Sequence, residues 1–112
     1  MNKYRNKKII IDGKELDSKL EGKRYRELKL LERAGVIKDL QLQPAFELLP
    51  SFKKNGKTYQ KIKYIADFSY FDNELGKVIV EDTKGFKTEV YKLKKKLFEY
   101  IYKDLEIKEV ER

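Results

Sequence analysis

An aspartate and a lysine lie where an apolar strand pattern ends in charge. The apolar run at residues 78–80 is followed by two acids, of which Asp82 is the second, and Lys84 comes two residues after Asp82. Asp67 interrupts the apolar pattern of the preceding extended segment, and a turn at residues 72–76 separates the two segments. Residues two apart in a strand point to the same side, so Asp82 and Lys84 share a face. Pairing of the two segments would bring Asp67 beside Asp82.

Such an arrangement is typical of metal-assisted phosphodiester hydrolysis. Two neighbouring carboxylates repel each other unless a cation lies between them, and magnesium binds one or two carboxylates together with water and phosphate oxygens. A lysine alongside would orient the attacking water or stabilise the charge that builds on the phosphate. A solvated strand end explains the same residues. The acid-x-lysine spacing occurs six times in the chain, so the spacing alone does not decide between them.

Composition narrows the chemistry further. The chain has no cysteine and no histidine, which excludes disulfides, zinc sites of the usual kind, and Ser-His or Cys-His catalysis. A metal bound here would be a hard cation held by oxygen, Mg²⁺ or Mn²⁺. No apolar run approaches the roughly 20 residues that span a bilayer. We therefore expect a cytoplasmic protein with no membrane partner.

The charge balance favours a polyanionic partner. Lysine and arginine outnumber the acids by 27 to 19, which gives a net charge of +8, and nucleic acid is the commonest partner of such a protein. A lysine-rich solubilising surface is the alternative. If the partner is DNA, Lys87, Lys92 and Lys95 are the expected phosphate contacts, because counterion release at lysines dominates DNA affinity.

The length of 112 residues predicts one domain over residues 1–112, which begins with a basic arm at 1–16. The arm contains a short strand at Lys8–Ile11 and a turn at Asp12-Gly13. Helices alternate with extended segments along the rest of the chain. The predicted order of helix, antiparallel strands, helix and strand indicates an α+β domain.

Two helices follow from apolar residues that recur at helical spacing. Ser18 and Glu21 form a capping-box pattern at the start of the first helix, and Gly35 ends it. The second helix runs from near Thr88 to about Asp104. The predicted buried positions are Leu20, Tyr25, Leu28, Leu31 and Ala34 in the first helix, and Val90, Leu93, Leu97, Tyr100 and Ile101 in the second.

Extended segments fill the region between the helices. Residues 37–42 alternate as a strand, and Asn55-Gly56 is the strongest two-residue hairpin signal. Residues 57–71 are predicted to return as one long strand, in which Ile62, Tyr64, Ala66, Phe68 and Tyr70 share one face. Further strands are expected near residues 77–85 and 105–112.

Three segments carry a resemblance to a known family. "SKLEGKRYRELKLLERAGVIKDLQLQPAFELLP", "YIADFSYF" and "VIVEDTKGFKTEVYKLKKKLF" resemble a family of small phage proteins of unknown function from low-GC Gram-positive hosts, over roughly residues 17–105. Through it the chain resembles the PD-(D/E)XK nuclease superfamily. The resemblance implies a restriction endonuclease-like core of helix, three antiparallel strands, helix and strand, with a mixed central sheet flanked by two helices.

The resemblance also implies roles for residues of this chain. Asp67 matches the first strand aspartate of the superfamily, and Asp82 with Lys84 matches its acid-x-lysine pair. Glu21 matches the glutamate often present on the first helix, which would make it an accessory metal or water ligand instead of a helix cap. The carbonyl of Thr83 is implied as an extra metal ligand.

Small departures from the superfamily pattern are present. Ala66 replaces the proline before Asp67, and the second acid is aspartate where glutamate is commoner. Glu81, next to Asp82, offers a competing assignment. Strand periodicity favours Asp82, because Glu81 faces away from Lys84.

Together these observations predict a phage-encoded, Mg²⁺- or Mn²⁺-dependent endodeoxyribonuclease in the host cytoplasm. Its substrate would be either DNA that is nicked during replication or packaging, or branched recombination intermediates such as Holliday junctions. Their resolution needs two cuts related by symmetry, which predicts a homodimer. The alternative is a non-catalytic DNA-binding or phage accessory protein that retains the fold. An inhibitor or signalling partner of a host protein is a third possibility.

Overall fold

Helices and strands alternate along the chain in the order that the sequence predicts, with more strands than expected. The computed structural model describes residues 9–11, 14–16, 19–84 and 87–111. The elements are β1 (Ile9–Ile11), β2 (Lys14–Leu16), α1 (Lys19–Arg33), β3 (Ile37–Leu42), β4 (Ala45–Leu49), β5 (Phe52–Lys54), β6 (Lys57–Tyr59), β7 (Ile62–Ile65), β8 (Phe68–Asp72), β9 (Lys77–Lys84), α2 (Glu89–Ile101) and β10 (Ile107–Glu111).

The first helix ends where the sequence predicts. Gly35 has a φ of +82°, the left-handed conformation that glycine adopts without a steric penalty. The amide of Val36 donates to the carbonyl of Leu31 at 3.0 Å, which satisfies a carbonyl of the last turn. Ser18, the predicted cap, lies outside the described residues, as does the turn predicted at Asp12-Gly13. The predicted strand near the N-terminus is confirmed at β1, which pairs with β2 in antiparallel fashion.

A four-stranded mixed sheet forms the centre of the protein, in the order β10-β9-β8-β3. Strands β3, β8 and β9 pair in antiparallel fashion, and β10 pairs parallel to β9. Parallel strands need a long crossover connection between them, and α2, which lies between β9 and β10 in the chain, provides it. The protein is therefore an α+β domain with two helices and a mixed sheet.

The two faces of the sheet carry two separate hydrophobic clusters. One cluster joins Tyr25 and Leu28 of α1 to sheet residues that include Ile79. The other joins Tyr91 and Phe98 of α2 to the neighbouring residue, Val80. Consecutive strand residues face opposite sides, so each helix covers one face of the sheet. No described helix is long and apolar enough to cross a bilayer.

A two-stranded ribbon extends from the sheet between β3 and β8. Its strands pair as β4 with β7 and β5 with β6. The predicted hairpin turn is confirmed, because Asn55 and Gly56 have φ values of +52° and +74°, as a type I′ turn requires. The base of the ribbon packs on α2, where the rings of Phe46 and Phe98 meet edge to face at 5.0 Å.

The prediction of one long strand over residues 57–71 is wrong. The chain breaks into β6, β7 and β8. Tyr64 and Ala66 belong to the α2 cluster, whereas Phe68 and Tyr70 belong to the α1 cluster. Regular alternation would keep all four on one face. The irregular backbone at residues 66–67 moves the later side chains to the opposite face, as a one-residue slip does.

The predicted buried stripe of α2 is also wrong. Val90, Leu93, Tyr100 and Ile101 are 62, 57, 73 and 42% exposed, and Leu97 is half-buried. The buried side chains are Tyr91 and Phe98, two turns apart. The helix is rotated toward the base of the ribbon, because the aromatic rings there cover Tyr91 and Phe98 and leave the aliphatic stripe exposed.

Candidate functional site

Asp82 lies near the end of β9 with its side chain completely buried. It projects from the sheet on the α2 side, together with Val80. The hydroxyl of Tyr64, on β7 of the ribbon, donates a hydrogen bond to Asp82 Oδ2. Burial raises the pKa of the Tyr64 hydroxyl well above its ordinary value, and the hydrogen bond to the Asp82 carboxylate raises this pKa further. Tyr64 therefore remains a protonated donor to Asp82.

Asp67 lies at the break between β7 and β8, and its backbone continues the pairing with β9. Phe68 pairs with Glu81, and the amide of Asp67 donates to the carbonyl of Glu81 at 3.1 Å. Asp67 Oδ2 accepts a 2.6 Å hydrogen bond from the amide of Thr83. The Asp67 charge also contributes to the raised pKa of the Tyr64 hydroxyl. The fold thus brings Asp67 to the same end of β9 as Asp82.

Thr83 and Lys84 complete the end of β9. The Thr83 hydroxyl is buried and has no hydrogen-bond partner among the residues that the structure describes. The role predicted for the Thr83 carbonyl as a metal ligand stays a prediction. Lys84 is the last residue of β9 and pairs with Glu111 of β10, but the position of its ammonium group lies outside the described part of the protein.

Glu21 lies in the first turn of α1 and is only 4% exposed. Tyr25, one turn later on the same face, stacks on Phe68 with ring centroids 6.3 Å apart. This face of α1 therefore packs against Phe68 at the start of β8, directly after Asp67. Both roles weighed for Glu21, helix cap and accessory ligand, stay predictions.

The buried acid Glu81 was not predicted to be part of a hydrogen-bond network. Glu81 precedes Asp82 and is completely buried on the α1 side of the sheet. Arg24 of α1 donates to it from Nε at 2.8 Å and from Nη2 at 2.6 Å, and the Tyr70 hydroxyl also donates to it. This hydrogen bonding to Glu81 raises the pKa of Arg24. Burial raises the pKa of the Tyr70 hydroxyl, and its bond to Glu81 raises this pKa further. Glu81 is therefore fully engaged in the core and turned away from Asp82.

Glu109 of β10 is a third acid beside the site that sequence reasoning missed. It is the partner of Asp82 in the parallel ladder. The Tyr91 hydroxyl donates to Glu109 Oε2 at 2.7 Å, and Lys87 Nζ lies 2.9 Å from Oε1. The bond from Lys87, and then that from Tyr91, lowers the pKa of the Glu109 carboxyl. No local sequence pattern distinguishes Glu109 from Glu111, the other acid of the last strand, because the partners of Glu109 come from α2 and the segment before it.

The lysines predicted to contact phosphate form ion pairs in the protein. Lys87 and Lys95 flank Glu109, with Lys95 Nζ at 3.8 Å from Oε2. Lys92 lies 3.4 Å from Glu89 on the exposed side of α2. All three lysines line a groove of about 310 Å³ along α2. An anion that entered this groove would compete with the two glutamates for the lysines.

The carboxylates do not form a preassembled cluster of three. Among the described residues, no group of three or more acids is arranged to hold a metal ion. The candidate ligands at the end of β9 are therefore the two carboxylates of Asp67 and Asp82. Magnesium commonly binds one or two carboxylates and completes its coordination with water and phosphate oxygens.

Comparison with known proteins identifies the family but not the activity. The family described as "Protein of unknown function (DUF1064)" matches residues 1–112. Neither the curated proteins nor the solved structures include a match to the chain. The predicted resemblance to a family of unknown function is thus confirmed, and the chain belongs to the DUF1064 family.

Proposed function

We propose that this protein is a metal-dependent endodeoxyribonuclease that hydrolyses phosphodiester bonds. The observation that carries the proposal is the convergence of Asp67 and Asp82 at one end of β9. Asp67 accepts a hydrogen bond from the amide of Thr83, the residue that follows Asp82, and Tyr64 donates a hydrogen bond to Asp82. Acids placed together in a protein interior favour a bound cation, because burying uncompensated negative charge is unfavourable.

The order and pairing of the elements support a restriction endonuclease-like core. Helix α1, the antiparallel strands β3, β8 and β9, helix α2 and the parallel strand β10 follow in that order. This is the succession that the resemblance to the PD-(D/E)XK superfamily implies. Asp67 directly precedes the second of these antiparallel strands, and Asp82 lies near the end of the third, close to the positions that the resemblance implies.

The residues at the site fit a hard divalent cation. Asp67, Asp82 and the Thr83 carbonyl would hold Mg²⁺ or Mn²⁺, and Glu21 would contribute an accessory contact. The bound ion would activate water and stabilise the negative charge of the phosphate. Lys84 would position the water that attacks phosphorus, and Tyr64 would hold the Asp82 carboxylate in a fixed orientation.

A non-catalytic DNA-binding protein is the second candidate, and one observation favours it. The Asp82 side chain is completely buried beneath the hydroxyl of Tyr64, so its carboxylate does not face solvent. A protein that had lost catalysis would keep its positive charge and its fold, and its buried acids would only form hydrogen bonds within the core. The net charge of +8 supports DNA as the partner under both proposals.

Incubation with a substrate panel separates the two candidates. The panel contains a four-way junction, a single strand and a linear duplex, each tested with Mg²⁺, with Mn²⁺ and with excess EDTA. We expect cleavage of the junction with either metal and no cleavage with EDTA. Binding to DNA without cleavage under every condition would support the non-catalytic protein, and the absence of both would contradict each candidate.

We propose further that the protein acts as a homodimer, because junction resolution requires two symmetric cuts. The exposed aliphatic stripe of α2 supplies a candidate interface for a second copy. Val90, Leu93, Leu97 and Tyr100 recur at alternating spacings of three and four residues, as in the seam of a helical dimer. Three of them are more than half exposed, and apolar surface of this kind favours association.

A charge placed on this stripe is expected to separate the copies. Leu93→Glu would bury an unpaired charge in the interface, which is unfavourable. At a protein concentration on the order of tens of micromolar, we therefore expect the wild type to be a dimer and the variant to be a monomer. Leu30→Glu is the matched control, because Leu30 is 61% exposed on the other helix. Multi-angle light scattering measures the masses, and a wild-type monomer would contradict the proposed homodimer.

A further inference from the structure

We propose that the outer part of the ribbon is a DNA-binding element that engages DNA with unpaired bases. This ribbon tip consists of residues 49–63. Most of it lies beyond the part of the ribbon that packs on α2, but Lys63, at its base, lines a pocket together with Val90 and Lys94 of α2. Every residue of the tip is exposed. This inference rests on the proposed function, in which DNA is the partner. The ribbon tip would be a DNA-binding surface separate from the carboxylate site and from the α2 groove.

The charge of the ribbon tip is entirely positive. Its fifteen residues contain five lysines and no acid, so this segment accounts for five of the chain's net +8 charges. The five are Lys53, Lys54, Lys57, Lys61 and Lys63. In contrast to Lys87, Lys92 and Lys95 of the α2 groove, none of them forms an ion pair with a described acid. Lysines without a protein counter-charge can exchange bound counterions for phosphates at no cost in internal ion pairs.

An aromatic pair gives the ribbon tip a second means of binding. Phe52 and Tyr59 are direct cross-strand partners, and their rings stack with centroids 4.9 Å apart and planes 11° apart. The two residues are 42 and 40% exposed, so part of each ring faces solvent. Lys57 lies over the Tyr59 ring at 5.3 Å. Exposed rings flanked by cations are the surface on which unpaired bases stack, whereas the bases of an intact duplex offer no free face.

The origin of the ribbon relates the tip to the candidate site. At the base of the ribbon, the amide of Gln43 donates to the carbonyl of Asp67 at 2.8 Å, and the amide of Ala66 donates to the carbonyl of Pro44 at 3.1 Å. The ribbon therefore leaves the sheet beside the candidate metal ligand Asp67. DNA that follows the ribbon toward the sheet would be led to the end of β9.

Substitution of lysines at the tip tests the electrostatic part of the inference. In the variant Lys53→Gln/Lys54→Gln/Lys57→Gln, we expect affinity for a four-way junction to fall at least about tenfold near 0.1 M salt. The slope of log affinity against log salt should fall by about three, because each substituted lysine no longer neutralises a phosphate. The control Lys23→Gln/Lys38→Gln/Lys77→Gln has the same net charge and alters exposed residues elsewhere, so we expect less than about a threefold change.

A second variant tests the role of the aromatic rings. Phe52→Leu/Tyr59→Leu keeps an apolar cross-strand pair but removes the stacking surface. We expect binding to a single strand to weaken about tenfold, with binding to a linear duplex unchanged, because only unpaired bases can stack on the rings. Circular dichroism and urea unfolding of each variant check that the hairpin and the core are retained.

All binding is measured by fluorescence anisotropy in EDTA, so the test does not depend on cleavage. A protein that never cuts DNA but loses binding in the tip variants would support this inference and contradict the proposed nuclease. Equal losses in the two lysine variants would overturn it, because net charge alone would then explain binding. Unchanged DNA binding together with loss of a dimer would also overturn it and assign the tip to the interface between copies.

Discussion

Asp82→Asn is expected to lower the rate of DNA cleavage by at least about a hundredfold while leaving DNA binding and the fold intact. The substitution removes the negative charge that would hold the metal, but the remaining carbonyl oxygen still accepts the Tyr64 hydroxyl, which is the bond seen at Asp82 Oδ2. Loss of a residue that merely supports a metal ligand already costs roughly 10- to 100-fold. Loss of a ligand should therefore cost more.

Single-turnover cleavage of the preferred substrate gives the rate for wild type and variant. Asp39→Asn is the matched control, because Asp39 is exposed and has a φ of +57°, a conformation that asparagine tolerates. Binding of Mn²⁺, followed by electron paramagnetic resonance, provides a readout independent of activity. Cleavage and Mn²⁺ binding within about threefold of wild type would contradict a ligand role for Asp82.

Local signals predicted the parts of the fold that depend on neighbouring residues. Gly35 ends α1 and Asn55-Gly56 turns the hairpin because each needs a positive φ, a requirement that the sequence reveals directly. Thr88 begins α2 as predicted, and its hydroxyl oxygen accepts the amide of Tyr91 at 3.0 Å. These features depend on few residues, so sequence analysis can recognise them.

The orientation of α2 could not be predicted in the same way. The helix carries an aliphatic stripe and, beside it, the aromatic pair Tyr91 and Phe98. Periodicity alone favours the longer stripe. The structure buries the aromatic pair because the ribbon delivers Phe46 and Tyr64 to that side of the helix. These contacts join residues about 30 to 50 positions apart, so no window of sequence contains them.

At the candidate site, strand periodicity predicted the orientation of some side chains and failed for others. A strand period of two correctly placed Glu81 and Asp82 on opposite faces of β9. The same period failed across residues 57–71, because the break at Asp67 shifts the later side chains to the other face. Nothing near Glu81 in the sequence indicates that Arg24 pairs with it. Glu81 and Asp82 are therefore adjacent on one strand, but residues distant in the sequence determine the environment of each carboxylate.

The pair of Arg24 and Glu81 is the feature whose disruption should most destabilise the protein. Arg24→Met would leave the completely buried Glu81 carboxylate with the Tyr70 hydroxyl but without its cation. Breaking a buried ion pair from one side typically costs about 3–5 kcal/mol. Since small domains are stable by only about 5–15 kcal/mol, we expect a large fall in the free energy of unfolding.

Replacing the whole network tests whether the loss comes from the stranded charge. In Arg24→Met/Glu81→Leu/Tyr70→Phe, the charge and its donor are removed together, and we expect most of the lost stability to return because apolar replacements of buried ion pairs are often neutral. Arg26→Met, on the exposed side of α1, should change the free energy of unfolding by less than about 0.5 kcal/mol. Urea unfolding followed by circular dichroism measures the free energy of unfolding of all three variants.

A loss below about 1 kcal/mol in Arg24→Met would mean that the pair of Arg24 and Glu81 contributes no more than an ordinary surface ion pair. Glu81 would then not need Arg24 to remain buried, and the separation of the two adjacent acids would rest on strand geometry alone.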